Sequence, residues 1–220
     1  KECISARPIF LRIRYKNSAT LTVYDTPGFR TGGSDSLCQD IQELVLDLIT
    51  PSHRIIVCLE QSTVEWANAC SREIVRQVDP RMERTIHVST KFDNRLKEIN
   101  NAEAAEAFLS GEGYYKGCDA FFISLPVCRN IDQSKYLDVV KKCFLQDMQR
   151  LLEIGFDEDK FGKQIGLFRL RSHLERLLYQ RRSAALVPWM ISIDRNLEDL
   201  ASKTAEADAM LRGCDLASIR

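Results

Sequence analysis

Charge imbalance is the first thing this chain lacks. Its 31 lysines and arginines match 31 aspartates and glutamates, a formal net charge of zero over 220 residues. A neutral chain exerts no long-range pull on a polyanion, so no nucleic-acid partner is expected, and an anionic lipid surface would have to be met by a local patch. Long apolar runs are missing as well. Charge interrupts every hydrophobic stretch before the roughly 18 residues that a membrane-spanning helix needs. Clustered metal ligands are absent too. The eight cysteines (Cys3, Cys38, Cys58, Cys70, Cys118, Cys128, Cys143, Cys214) form no CxxC pair, and the three histidines neighbour none of them. That excludes the short-spaced ligand pairs of a zinc site, and scattered cysteines fit small buried hydrophobes in a reducing compartment. There is no initiator Met and no signal or transit segment. The chain opens on Lys1, as a piece of a longer protein would.

What is present is ordinary globular material, 45% hydrophobic and 28% charged, enough for one large domain or a domain with an appendage. Pro8 to Tyr15 alternates apolar and basic residues, and Thr20 to Tyr24 follows a polar turn, so a β-hairpin is expected to deliver Asp25-Thr26-Pro27-Gly28 to a strand end. A Gly/Ser loop at 31–34 leads into an amphipathic helix from about Ser36 to Ile49, stopped by Pro51. Arg54 to Leu59 reads as a strand buried on both faces. Val64 to Val78 reads as a helix, Thr85 to Ser89 as a buried strand, Ala102 to Leu109 as a helix and Ala120 to Leu125 as a strand. Strands alternating with helices imply an α/β fold with a mostly parallel, helix-covered sheet, whose ligands bind at the carboxyl ends of the strands.

From about Tyr136 the pattern becomes almost uninterrupted helix. Pro188 is expected to break or kink it. Beyond Pro188, Met190, Ile193, Leu197, Leu200, Thr204, Ala207 and Leu211 follow a strict 3-4 alternation, which suits a partner helix or the chain's own domain equally well.

Two tetrapeptides carry chemistry. In nucleotide hydrolases an Asp-x-x-Gly after a strand places a carboxylate on magnesium, usually through water, and a Gly amide near the terminal phosphate. Asp25 and Gly28 fit that pattern, although Asp-Thr-Pro-Gly is also a good turn. Thr90-Lys91-Phe92-Asp93 is rarer. In guanine-nucleotide sites of this form the Asp accepts hydrogen bonds from the guanine N1–H and exocyclic amine, and the Lys stem lies across the ring. Adenine offers neither donor and would strand the carboxylate. The alternative is a charged turn. The two motifs stand in the expected order, sixty-six positions apart from Asp25 to Lys91, on an alternating α/β pattern. No GxxxxGK[ST] exists in the chain, so the phosphate cradle and its lysine are missing.

These residues resemble the dynamin superfamily of large GTPases. Pro8 to Arg12 through Leu21 to Gly28 looks like that family's strand pair and Asp-x-Pro-Gly motif. Gln77-Val78-Asp79-Pro80, Arg84-Thr85-Ile86 and Thr90-Lys91-Phe92-Asp93 are similar to the family's run into its base-recognition motif. Within the family, Cys58-Leu59-Glu60, Trp66, Arg72, Ile74-Val75 and Val88 to Lys91 look most like the plant and algal dynamin-related proteins of chloroplast division. The resemblance covers about Pro8 to Leu211 and is thinnest over Asn94 to Gly117.

The resemblance implies GTP and magnesium as cofactors. Asp25 would hold magnesium through water and Gly28 would sense the γ-phosphate, both as catalytic residues. Thr26 and Pro27 would complete the phosphate-side loop, while Thr90, Lys91, Phe92 and Asp93 would form the guanine site. A third base-contacting loop would fall near Ser124 and Arg129. There the chain departs, with Ser124-Leu125-Pro126 in place of the usual Asn-Arg-Ser. Residues 1–187 would be the C-terminal part of a dynamin-type GTPase domain, without its phosphate loop and first switch. Residues 188–220 would be a helix of the bundle signalling element leading to the stalk.

The parent protein would hydrolyse GTP, self-associate through GTPase domain and stalk, and constrict an organelle membrane reached through regions outside this chain. It would be cytoplasmic and peripheral on an organelle outer membrane, the plastid outer envelope foremost. The alternative is a non-hydrolysing assembly module of the same fold. The 220-residue chain alone is expected to be inactive. Other features read as structure: Trp66 as core or interface, Glu60-Gln61 as a solvated strand end, and the arginines 169 to 182 as the wet face of a helix.

Overall fold

Leu37, Ile41 and Val45 recur at four-residue spacing, and the chain around them winds into α1 (Asp35–Ile49) with all three buried. Phe29 packs against that stripe. At the carboxyl end the Thr50 hydroxyl donates to the Leu46 carbonyl and Arg54 donates to the Leu48 carbonyl, which settles acceptors the helix cannot satisfy itself. The computed structural model describes residues 7–14, 16, 20–29, 35–64, 70–111, 118–127 and 132–213. In chain order the remaining elements are β1 (Ile56–Gln61), α2 (Cys70–Val78), β2 (Thr85–Thr90), α3 (Phe92–Leu96), α4 (Ala102–Leu109), β3 (Asp119–Ile123), α5 (Tyr136–Glu153), α6 (Glu158–Phe161) and α7 (Leu167–Gly213).

The three strands form one parallel sheet in the order β1-β2-β3, with Cys58 opposite His87 and Val88 opposite Phe121. This is the α/β architecture with a helix-covered parallel sheet and a long carboxyl-terminal helix. The middle strand is buried along nearly its whole length. Its entry is held by two charged residues. The buried Asp79 carboxylate accepts from the Glu83 and Arg84 amides at 3.1 Å each and from the Thr85 hydroxyl at 2.6 Å. Burial alone would raise its pKa, but these hydrogen bonds outweigh it and hold the group below the usual range. The Arg84 guanidinium donates to the carbonyls of Ile49, Arg54 and Val78 at 2.8 to 3.1 Å, tying the ends of α1 and α2 to the start of β1.

The main core lies between the sheet and α3 to α6. Phe92, Phe108 and Phe122 form an aromatic trio with centroids 5.4 to 6.1 Å apart, surrounded by Leu96, Leu109, Leu151, Phe161 and Ile165. A smaller cluster joins Ile56 and Cys58 of β1 to Val75 and Met82.

Several expectations need correction. Residues 8–14 and 20–24 form no strands, and Ile9 is 97% exposed. Alternation alone does not hold a strand. A ladder partner does, and neither segment has one among the described residues. Nor is β1 buried on both faces. Among the described residues it is the outer strand of the sheet, burying Ile56, Cys58 and Glu60 and leaving Val57 and Leu59 at 42% and 62% exposure. Pro188 does not break α7, which continues through it at the cost of the one hydrogen bond to the Ala184 carbonyl that proline cannot donate. The near-continuous helix from Tyr136 is interrupted around Gly155 and Gly166, both at positive φ. The loops at 31–34 and 112–117, and Trp66, lie outside the described residues.

The chain divides into a unit of Lys1–Leu170, which holds the sheet and core, and a second unit of Arg171–Arg220. Within the second unit, α7 exposes Met190, Ile193, Leu197, Leu200 and Leu211 along its length. No helix among the described residues is long and apolar enough to cross a membrane.

One buried polar cluster sits on the covered face of β1 and β2. Glu60 Oε1 accepts from Ser71 Oγ at 2.5 Å and pairs with Arg72 Nε at 3.3 Å. His87 Nε2 lies 3.5 Å from Glu60 Oε2. Burial, and then the Arg72 charge, push the His87 pKa down to about 3, so the ring is neutral at physiological pH and this contact is not an ion pair.

Two predictions follow from these contacts. Phe122→Ala empties the centre of the aromatic trio and is expected to cost about 3–5 kcal/mol in urea unfolding; a loss below about 1 kcal/mol would contradict the packing. His87 has a folded pKa below its unfolded value, so its contribution to stability is complete above about pH 6.5 and is lost as pH falls towards about 3. The urea midpoint of the native chain should therefore fall more steeply over that window than that of a His87→Gln variant, and equal slopes would refute the assignment.

Candidate functional site

The chemistry gathers where β2 ends. Thr90 is the last residue of that strand, its hydroxyl donating to the Glu60 carbonyl at 3.0 Å and its own carbonyl accepting from the Ser62 amide at 2.8 Å. Lys91 then adopts the left-handed backbone conformation, φ 55° and ψ 38°, and serves as the N-cap residue of α3. A lysine in this region is strained, and such strain is held only where the surroundings over-determine it. Here they do. On one side Thr90 is fixed in the sheet, and on the other Phe92 is fully buried in the aromatic trio. The result leaves Lys91 and Asp93 exposed on either side of a buried Phe92. Lys91 Nζ donates to Gln61 Oε1 at 3.0 Å, a contact made at the end of the neighbouring strand.

Asp93 is joined to the next strand end. Its backbone amide donates to Ser124 Oγ at 2.8 Å. The two base-site segments expected from the sequence, 90–93 and the turn after β3, are thus brought together by a direct hydrogen bond. Beside them opens a cavity of about 380 Å³, lined by Asp93, Lys97, Ser124, Leu125, Asp147 and Arg150 among others. Arg129 lies outside the described residues.

Two buried groups in this region carry no motif. Asp147, on α5, is buried beside Ser124; burial and the nearby Asp93 charge raise its pKa to about 6, against the lowering effect of the Ser124 hydroxyl. The signal was an Asp on an otherwise apolar stripe, with Val140, Asp147 and Leu151 all buried at heptad spacing. The other is the Cys58, Glu60 and His87 cluster, whose candidate ligand atoms lie within 4.8 Å of one another. No sequence spacing reveals it, because strand register creates it. These three residues have donor types that could hold a metal, but the Arg72 guanidinium already supplies the cation facing Glu60. Burial also pushes the Cys58 thiol up to about 12, far from the thiolate a metal needs. Glu60 is therefore a buried, paired carboxylate and not the solvated strand end expected.

Asp25, Thr26, Pro27 and Gly28 are placed differently. They follow no strand, since residues 20–29 have no regular structure. Asp25, Thr26 and Gly28 are exposed, and a side chain at Gly28 would meet nothing within 4 Å. Tyr24 stacks under the Arg54 guanidinium, 4.5 Å from its centroid. No hydrogen bond or ion pair among the described residues joins these four to Lys91 or Asp93. Nor does Asp25 belong to a cluster of potential metal ligands among them. Among the described residues, a direct hydrogen bond joins the 90–93 segment to Ser124, and none joins either to Asp25 to Gly28.

Residues 1–92 match the dynamin family. The chain is 49% identical over 205 residues to dynamin-like protein C of Dictyostelium discoideum, covering 93% of this chain and 22% of that protein. It is 31% identical over 230 residues to dynamin-related protein 5A of Arabidopsis thaliana, covering all of this chain and 28% of that protein. Dynamin-like protein ARC5 of the same plant is 31% identical over 213 residues, covering 86% of this chain and 27% of that protein. The chain thus spans only about a quarter of the length of these relatives. A match of this extent across the α/β unit and the long helix identifies the chain as a member of the dynamin family.

Proposed function

We propose that this chain is part of a GTP-hydrolysing dynamin-type protein whose guanine site is built from Thr90, Lys91, Phe92, Asp93 and Ser124. The observation that carries the reading is the placement of Lys91 and Asp93 around a buried Phe92 at the end of the central strand, with Asp93 tied to Ser124. In this reading the Asp93 carboxylate accepts the guanine N1–H and amine protons, and the Lys91 stem covers the ring. The hydrogen bond from the Asp93 backbone amide to Ser124 fixes the backbone from which the carboxylate projects. GTP supplies the phosphoanhydride bond, and the residues described here bind and orient its base.

Asp25 to Gly28 are proposed for the phosphate side, Asp25 on magnesium through water and Gly28 at the γ-phosphate. Both roles require neighbours that the described residues do not supply. Residues 1–187 would belong to the GTPase domain and residues 188–220 to the helix leading to a stalk. The exposed apolar seam of α7 favours self-association. Constriction of an organelle membrane is the proposed outcome, with the plastid outer envelope as the site. The Cys58-Leu59-Glu60 and Val88 to Lys91 runs support that choice by their resemblance to the chloroplast-division subgroup.

In the full-length protein, Asp93→Asn should weaken GTP binding by about tenfold or more, since hydrogen bonds to a charged group contribute about 1.5–3 kcal/mol. Unchanged affinity in a nucleotide titration would sink the base assignment. GTP turnover by the full-length protein should rise with assembly on membranes and collapse in Asp25→Ala, while the 220-residue chain alone, without a GxxxxGK[ST] motif, turns over none. Absence of turnover in the full-length protein would leave an assembly module without hydrolysis.

A further inference from the structure

Ser124 is a hydroxyl with one proton to donate and two lone pairs to accept with. It accepts from the Asp93 amide at 2.8 Å, and it stands close enough to the buried Asp147 to favour the ionised form of that carboxyl. The Asp93 amide is one of the orphan donors at the start of α3, and Lys91 at the N-cap makes no side-chain hydrogen bond to relieve them. The acceptor therefore comes from another strand end. Asp147 is only 5% exposed, and a carboxyl that buried is costly unless it is hydrogen-bonded. Asp93, Ser124 and Asp147 all line the same cavity.

We infer, resting on the guanine-site reading above, that Asp147 is a positioning residue for nucleotide binding: by taking the Ser124 proton it turns the hydroxyl lone pairs to the Asp93 amide and locks the two base-contacting segments together. Asp147 acts through Ser124 and does not itself touch the base.

The arrangement links binding to pH. Among the described residues, the ionisable groups around Asp147 in this cavity are Asp93 of α3, Lys97 just beyond it, and Cys143 and Arg150 of α5, and the described part of the segment after β3 brings uncharged Ser124, Leu125, Pro126 and Val127. The Asp93 charge helps keep the Asp147 pKa near 6. Guanine donors that pair with Asp93 draw off part of that charge, so Asp147 releases its proton more readily in the complex. Affinity therefore strengthens as pH rises through about 6 and weakens as pH falls.

The test is GDP affinity of the full-length protein between about pH 5.5 and 7.5, a range that spans the ordinary histidine region, compared across variants so that titration of the nucleotide itself cancels. Asp147→Asn should bind about fivefold more weakly at the upper end, the equivalent of one ordinary hydrogen bond, and should lose the extra pH dependence of the native protein. Ser124→Ala should lose as much, with no further loss in the double variant. Native affinity and pH profile in Asp147→Asn, or losses that multiply in the double variant, would overturn the inference. Should Asp147→Asn not fold, the pH profile of Ser124→Ala decides: a flattened profile supports the link and a native one refutes it. Asp93→Asn separates the two levels. If it too binds normally, the base site itself is wrong; if it alone loses affinity, only the role of Asp147 fails.

Discussion

The burial of Phe92 is the constraint around which the α/β unit is organised. Its ring has no contact with solvent and packs against Phe108 of α4 and Phe122 of β3. Three segments distant in sequence thus meet at one side chain. Because Phe92 must point inward immediately after β2, the chain has to turn within one residue. The left-handed conformation of Lys91 is how it does so. The same turn starts α3 and presents the Asp93 amide to Ser124. Hydrophobic packing therefore fixes polar geometry: the core holds the backbone strain that sets the exposed pair Lys91 and Asp93.

A second level of order comes from buried charge. Arg84 gathers carbonyls from the ends of α1 and α2, and Asp79 holds the segment entering β2, so the strand begins from a fixed point. On the covered face of the sheet, Glu60 and Arg72 compensate each other beside a neutral His87. Removing one partner of such a pair strands the other, which makes the cluster intolerant of single changes. This framework steadies the strand ends, and Gln61, next to Glu60, provides the acceptor for Lys91.

The unit also presents apolar surface that it does not cover itself. Val57 and Leu59 face outward from β1, and residues 8–14 are exposed in an irregular stretch. Exposed apolar area of this kind is what a larger assembly or a longer chain would bury. It agrees with relatives about four times as long as this chain.

The sequence by itself determined the elements whose signal is local. Periodicity located α1, α4 and the three paired strands to within a few residues, because helical and strand patterning is written in neighbouring side chains. It also singled out Thr90 to Asp93, since chemistry at a strand end has a short signature, whereas Ser124 was reached only through the family resemblance. Tertiary structure decided whatever depends on partners. Residues 8–14 alternate like a strand yet form none, because a strand exists only where a ladder partner does. Val57 and Leu59 are exposed because nothing among the described residues covers that face of β1, a property of layer packing that no single strand encodes. The approach of Cys58 to His87 follows from register between strands, and Asp147 gains its place from helix packing against a loop. Such pairings are set by which surfaces meet, and in a single sequence nothing marks them beyond one acidic residue on an apolar stripe.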